Sequence, residues 1–171
     1  VSDIVVLDNE ATVDVISNFQ AGTGGDVIHL DVSTLNGGNI AASEGTVITT
    51  EAAGFIDYTV GVASAANAAT SNIIHVTNTT GINSIADVNT ALGNDNIVMD
   101  AGGTAFANAE ASAIVFYDAD DAKMTVGYLE DSATATAGVF DGTGSTFVEL
   151  ASVSMSTTDY GLLAATNFDF I

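Results

Sequence analysis

Residues 14–31 read DVISNFQAGTGGDVIHLD, and this stretch sets the expectation for the whole chain. A short apolar run, Val15 and Ile16, leads through Phe19 into a turn carrying Gly22, Gly24 and Gly25. Glycine supplies the positive-φ backbone that a tight turn needs. A second run, Val27 to Leu30, follows and closes on Asp31. β-Branched residues bounded by Gly, Asn and Asp are the signature of a strand. Asp14, Asp26 and Asp31 thus fall at strand ends beside tight backbone, where a hard cation such as Ca2+ finds oxygen ligands.

The same kind of unit recurs. It reads SDIVVLD at 2–8, GDVIHLD at 25–31, SNIIHVT at 71–77, DNIVMD at 95–100 and SAIVFYD at 112–118. The closing residues are separated by 23, 46, 23 and 18 positions, and a weaker apolar run, 55–60, lies inside the long gap. Recurrence at this interval suggests stacked supersecondary units, although any all-β chain also places strands at such spacings. Several units are apolar at consecutive positions rather than alternating, which predicts strands buried on both faces. Glycine-marked turns at 36–39, 44–45, 101–103 and 141–144 separate them. Further strands are expected at 114–117, 124–129, 138–140 and 147–150.

Helical signals are few. Asn83 or Ser84 can cap a run in which Ile85, Val88 and Leu92 share one face, with Gly93 ending it. The alanine content of 104–112 predicts a second short helix, while 62–70 has too few large apolar residues to show a period. The expected fold is mainly β: a strand-rich sandwich or roll-like domain with one or two short helices. It forms a single domain over residues 1–171.

Composition narrows the function classes. The chain has 22 acidic residues against one basic residue, Lys123, for a formal net charge of −21. Nucleic acid and anionic lipid bind through Lys and Arg, so neither is an expected partner. A hydrophobic fraction of 47% and a mean hydropathy of +0.40 argue for a packed core rather than disorder. Internal ion pairs cannot answer this much charge, and divalent cations are the simplest compensation. There is no cysteine, hence no disulfide and no thiolate metal site. No apolar run approaches the ~20 residues of a membrane span, and residues 1–10 lack the basic and apolar regions of a signal peptide. Proline is absent, as suits paired strands, where it would delete ladder hydrogen bonds.

The opening stretch resembles the D-x-I-x-x-F-x-x-G-x-x-x-D-x-I-x-L segment near the C-termini of RTX-type (haemolysin-type calcium-binding) proteins exported by type I secretion. Residues 113–131, AIVFYDADDAKMTVGYLED, are similar to the strand, D-A-D, strand pattern of the same C-terminal regions. The ending at 156–171, STTDYGLLAATNFDFI, resembles their secretion tail, which marks 150–171 as a type I secretion-like segment. The family's tandem G-G-x-G-x-D-x-U-x nonapeptides are represented here only by fragments at 22–26 and 141–144. A full calcium-filled β-roll is therefore not expected, and Ca2+ belongs in isolated loop sites. The candidate ligands are Asp14, Asp26 and Asp31, the loop carboxylates Asp118, Asp120 and Asp121, and Asp141 beside Gly142 and Gly144.

His29 and His75 occupy matching places in their units, and on neighbouring strands they would suit a transition metal. No third ligand is evident, so two half-exposed strand residues are the plainer reading. Catalytic motifs are lacking: no G-x-S-x-G elbow, no H-E-x-x-H, no P-loop. Asp120 and Asp121 as a glycosidase pair have no Trp platform to work with. The expectation is a non-enzymatic, secreted, calcium-associated structural protein. It would assemble with itself into an extracellular layer or filament at the cell surface and meet the type I export machinery through its C-terminus. The alternative is a non-catalytic C-terminal module of a larger type I-secreted enzyme, toxin or glycan-binding adhesin.

Overall fold

The computed structural model describes residues 2–35, 55–61, 73–94, 111–130 and 146–171. They build a mainly β fold of two sheets and two short helices, the expected class. The first sheet is parallel and has the order β1-β3-β9, with β1 at Ile4–Leu7, β3 at Val27–Leu30 and β9 at Phe168–Phe170. The second has the order β2-β8-β7-β6-β5-β4. Its members are β2 (Asp14–Ile16), β4 (Phe55–Tyr58), β5 (Ile73–Val76), β6 (Ala111–Asp118), β7 (Lys123–Glu130) and β8 (Thr146–Ser154). Here β6, β7 and β8 form an antiparallel meander, while β2 joins β8, and β4 and β5 join β6, in parallel.

The two sheets pack face to face. Leu7, Ile28, Leu30 and Phe168 from the first meet Ile16, Ala113, Val115, Met124, Val126 and Val153 from the second in one continuous core. The opposite face of the second sheet is also covered. Ile74, Val76, Ile114 and Phe116 pack there with Val88 and Ala91 of helix α1 (Ile85–Asn94). Two covered faces explain the unbroken apolar runs: every residue of β5 and β6 is buried, with alternate side chains serving the two cores. Each large aliphatic side chain so buried contributes about 1.5–3 kcal/mol.

The α1 cap is the expected one. Ser84 Oγ accepts from the amide of Asp87 at 3.4 Å, and the Asp87 carboxylate accepts in return from Ser84 Oγ and from Asn83 N, both at 3.0 Å. The helix passes through Gly93 to Asn94 instead of stopping at the glycine. The second expected helix is corrected in part. Ala111 and Ser112 belong to β6, where burial between two layers overrides alanine's helical preference, and 104–110 lie outside the described residues. The second short helix is instead α2 (Thr157–Tyr160), capped by Ser156, whose Oγ accepts from Asp159 N at 3.1 Å.

The 23-residue recurrence has a physical counterpart at one place. β1 and β3 lie side by side in parallel with Ile4 opposite Val27 and Leu7 opposite Leu30, a constant offset of 23. The 71–77 unit does not continue that stack, because β5 lies in the other sheet. The expected unit at 95–100, the strand at 138–140 and the turns at 36–39, 44–45, 101–103 and 141–144 lie outside the described residues, as does the 62–70 stretch.

Candidate functional site

The opening glycine turn is a junction rather than a hairpin. It carries the chain from β2 in one sheet to β3 in the other. Gly22 adopts φ +92°, and a Cβ on Gly25 would run into the carbonyl of Gln20. The tight loop brings Asp26 inward, where its Oδ1 accepts from Asp3 N and its Oδ2 from Gln20 N, both at 2.8 Å. These two amides hold the carboxyl below its ordinary value of 3.8, the Asp3 amide being the larger cause.

Asn167 completes the junction from the far end of the chain. Its Oδ1 accepts from Gly22 N at 2.9 Å and Ala164 N at 3.1 Å. Its Nδ2 donates to the carbonyls of Gly22 at 3.1 Å and Asp26 at 2.9 Å. The side chain is fully buried at the end of a 3-10 turn (Ala165–Asn167), immediately before Phe168 enters the core. Segment 150–171 is therefore integral to both sheets, since it supplies the end of β8, α2 and the whole of β9.

The other candidate carboxylates are dispersed. Asp31 Oδ1 accepts from the amide of Ser33 at 3.0 Å and from its hydroxyl at 2.6 Å, and the hydroxyl is the larger cause of its lowered pKa. Asp14 is exposed in β2, opposite Ala151. Asp118, Asp120 and Asp121 do share one loop, the β6–β7 hairpin. Asp118 Oδ1 is already occupied by the amides of Asp120 at 3.0 Å and Asp121 at 3.2 Å. Asp121 pairs with Lys123 at 3.0 Å, which raises the lysine's pKa. Asp141 lies outside the described residues. Among those residues, no three His, Asp or Glu side chains are arranged to hold a metal ion. The most enclosed of these aspartates, Asp26 and Asp118, accept from backbone amides.

The two histidines stand in different sheets, and each meets an in-register aspartate on the neighbouring strand. His29 Nε2 lies 3.4 Å from Asp169 of β9, on the outer face of the first sheet. His75 Nδ1 lies 2.7 Å from Asp57 of β4. That second pair has the form of two members of a Ser-His-Asp relay. The nucleophile's place is not filled, because His75 Nε2 is buried with no hydrogen-bond partner among the described residues.

The surface carries a different kind of feature. Ile4 is 61% exposed and Val6 43% on β1, and Val15 is 80% exposed on β2. Among the described strands, β1 and β2 are edge strands. Asp3 and Asp8 flank β1, and Asp14 opens β2. Natural edges are commonly guarded by lysine or proline; here the described charged side chains that flank β1 and open β2 in sequence are aspartates. Among the described residues no helix is long and apolar enough to cross a membrane.

Comparison of the chain with protein-family models, with curated proteins and with solved structures found no match.

Proposed function

We propose that this chain is a secreted, calcium-associated structural protein that assembles with itself into an extracellular layer or filament. The observation that carries the reading is that, among the described strands, two edges bear exposed apolar side chains and have aspartates at or beside their ends. Backbone groups on an open strand edge are a template for another strand. At a net charge of −21, two copies repel each other until cations screen or bridge the carboxylates. Calcium in this reading acts between copies, at exposed groups such as Asp14, Asp120 and Asp121, rather than in an enclosed loop site. The export route through residues 150–171 rests on the resemblance of the tail to type I signals. A contact between unlike edges whose rotation does not close into a ring extends into fibres or sheets.

The test compares light scattering of the wild type with that of Val6→Lys and Val15→Lys in millimolar calcium chloride. The wild type associates, and a lysine on either strand weakens or abolishes the growth by guarding that edge. Undiminished association of both variants places the contact elsewhere. A wild type that stays monomeric favours the passenger-module reading instead.

A further inference from the structure

Strand β4 is the outermost described strand of the second sheet and is paired in parallel with β5 from Phe55 opposite Ile73 to Tyr58 opposite Val76. Thr77 N donates to Tyr58 O at 2.8 Å, Val60 N donates to Asn78 Oδ1 at 2.8 Å, and the hydroxyls of Thr59 and Thr77 meet at 2.7 Å. The Thr77 hydroxyl also donates to Tyr58 O at 3.2 Å, and a side-chain tie joins His75 Nδ1 to Asp57 Oδ1 at 2.7 Å. A carboxylate only accepts, so Nδ1 carries the proton and Nε2 is left as a bare acceptor.

The surroundings of the ring make that arrangement sensitive to charge. Its centroid lies 5.2 Å from Phe55 and 4.8 Å from Tyr160, and Phe55 in turn stacks on Phe168 of the first sheet at 5.7 Å. Among the described residues, Asp57 on β4 is the charged group facing the imidazole, and Tyr160 on α2 is the titratable one. β6 offers Val115, and the first sheet offers Phe168 behind Phe55. The Tyr160 hydroxyl is engaged with the carbonyls of Val76 at 2.6 Å and Val115 at 3.2 Å, so it does not serve Nε2. A second proton on this ring would create a buried N–H donor with no acceptor among the described residues.

We propose that His75 is an acid-sensitive latch on strand β4: taking up a proton at Nε2 frees the strand, lets water reach the ring and uncovers the Phe55–Phe168 contact. This device is independent of self-assembly. Burial lowers the histidine below its ordinary value of 6.5 against the opposing pull of Asp57. The closed strand thus holds the neutral form, whereas an opened strand titrates near the ordinary value. Closure is fully favoured above about pH 6.5 and weakens as pH falls, up to tenfold per pH unit, until the closed form itself takes the proton.

Amide hydrogen exchange by NMR from about pH 7.5 to about 5, corrected for intrinsic rates, tests the latch. The expected result is a progressive loss of protection at Val60 and Thr77, up to tenfold per pH unit, while the Val126 amide in the sheet centre is unchanged. In His75→Phe, which keeps the ring packing and removes the titration, the loss disappears. Parallel loss at Val126, or the same loss in His75→Phe, overturns the proposal. Should that variant not fold, the wild-type His75 ring decides: titration clearly below 6.5 supports the latch, and titration at or above it refutes it.

Discussion

Replacing Asn167 with alanine removes four hydrogen bonds at once from a fully buried side chain. Each is worth about 0.5–1.5 kcal/mol net, and buried groups left without partners add to the loss. The expected destabilisation is about 3–5 kcal/mol, in the range reserved for broken buried networks. For a chain of this size it corresponds to a fall in Tm of roughly 6–20 °C. Urea unfolding followed by far-UV circular dichroism, with Thr90→Ala as a control, provides the assay. Thr90 makes an exposed bond to Ala86 O, so its loss should stay within about 0.5 kcal/mol. Asn167→Asp keeps the acceptor but sets a carboxylate oxygen against the carbonyls of Gly22 and Asp26. Its penalty at neutral pH should match or exceed that of alanine and shrink on acidification, when the protonated group can donate again. A cost below about 1 kcal/mol for Asn167→Ala would refute the claim that this side chain clamps the two chain ends together.

Acid stability follows from Asp26 and Asp31, whose carboxyls are held below the ordinary 3.8 in the folded chain. The unfolded chain binds more protons, so their contribution is present above about pH 3.8 and is lost as pH falls below it. Asp26→Asn should lower the Tm at neutral pH and flatten its decline between about pH 5 and 3; an unchanged acid limb would show that Asp26 is not a source of it. Calcium should raise the Tm above that in sodium chloride of the same ionic strength, and excess chelator should reverse the gain. Equal melting in the two salts would reduce the cation's role to screening.

Much of the fold was legible because burial leaves a direct mark on residue choice. The unbroken apolar runs of β5 and β6 announced two covered faces, and Asn83 or Ser84 as a cap announced the start of α1. The offset of 23 between the first two units matched a real parallel register. Partner choice was not legible. Nothing local shows that β2 and β3, separated by one glycine turn, join different sheets, or that β9 completes the sheet begun by β1. The same limit applied to the site. A carboxylate at a strand end suits a cation and a pair of backbone amides equally well, and Asp26 takes the amides. Asn167 acts on a partner 145 residues away, beyond any periodic pattern. The available hint was the Asn-Phe pair shared by 18–19 and 167–168, whose phenylalanines both enter the core. His75 likewise owes its character to Asp57 on the neighbouring strand and to the rings of Phe55 and Tyr160.

Self-assembly through open, acid-guarded strand edges is the claim on which the functional reading depends, and negative-stain electron microscopy of the wild-type chain tests it most directly. Samples in millimolar calcium, in the same solution after excess chelator, and in sodium chloride of matched ionic strength are compared on the same grid preparation. Regular fibres or sheets in calcium that disperse on chelation are the predicted result. Single particles in all three conditions would contradict it.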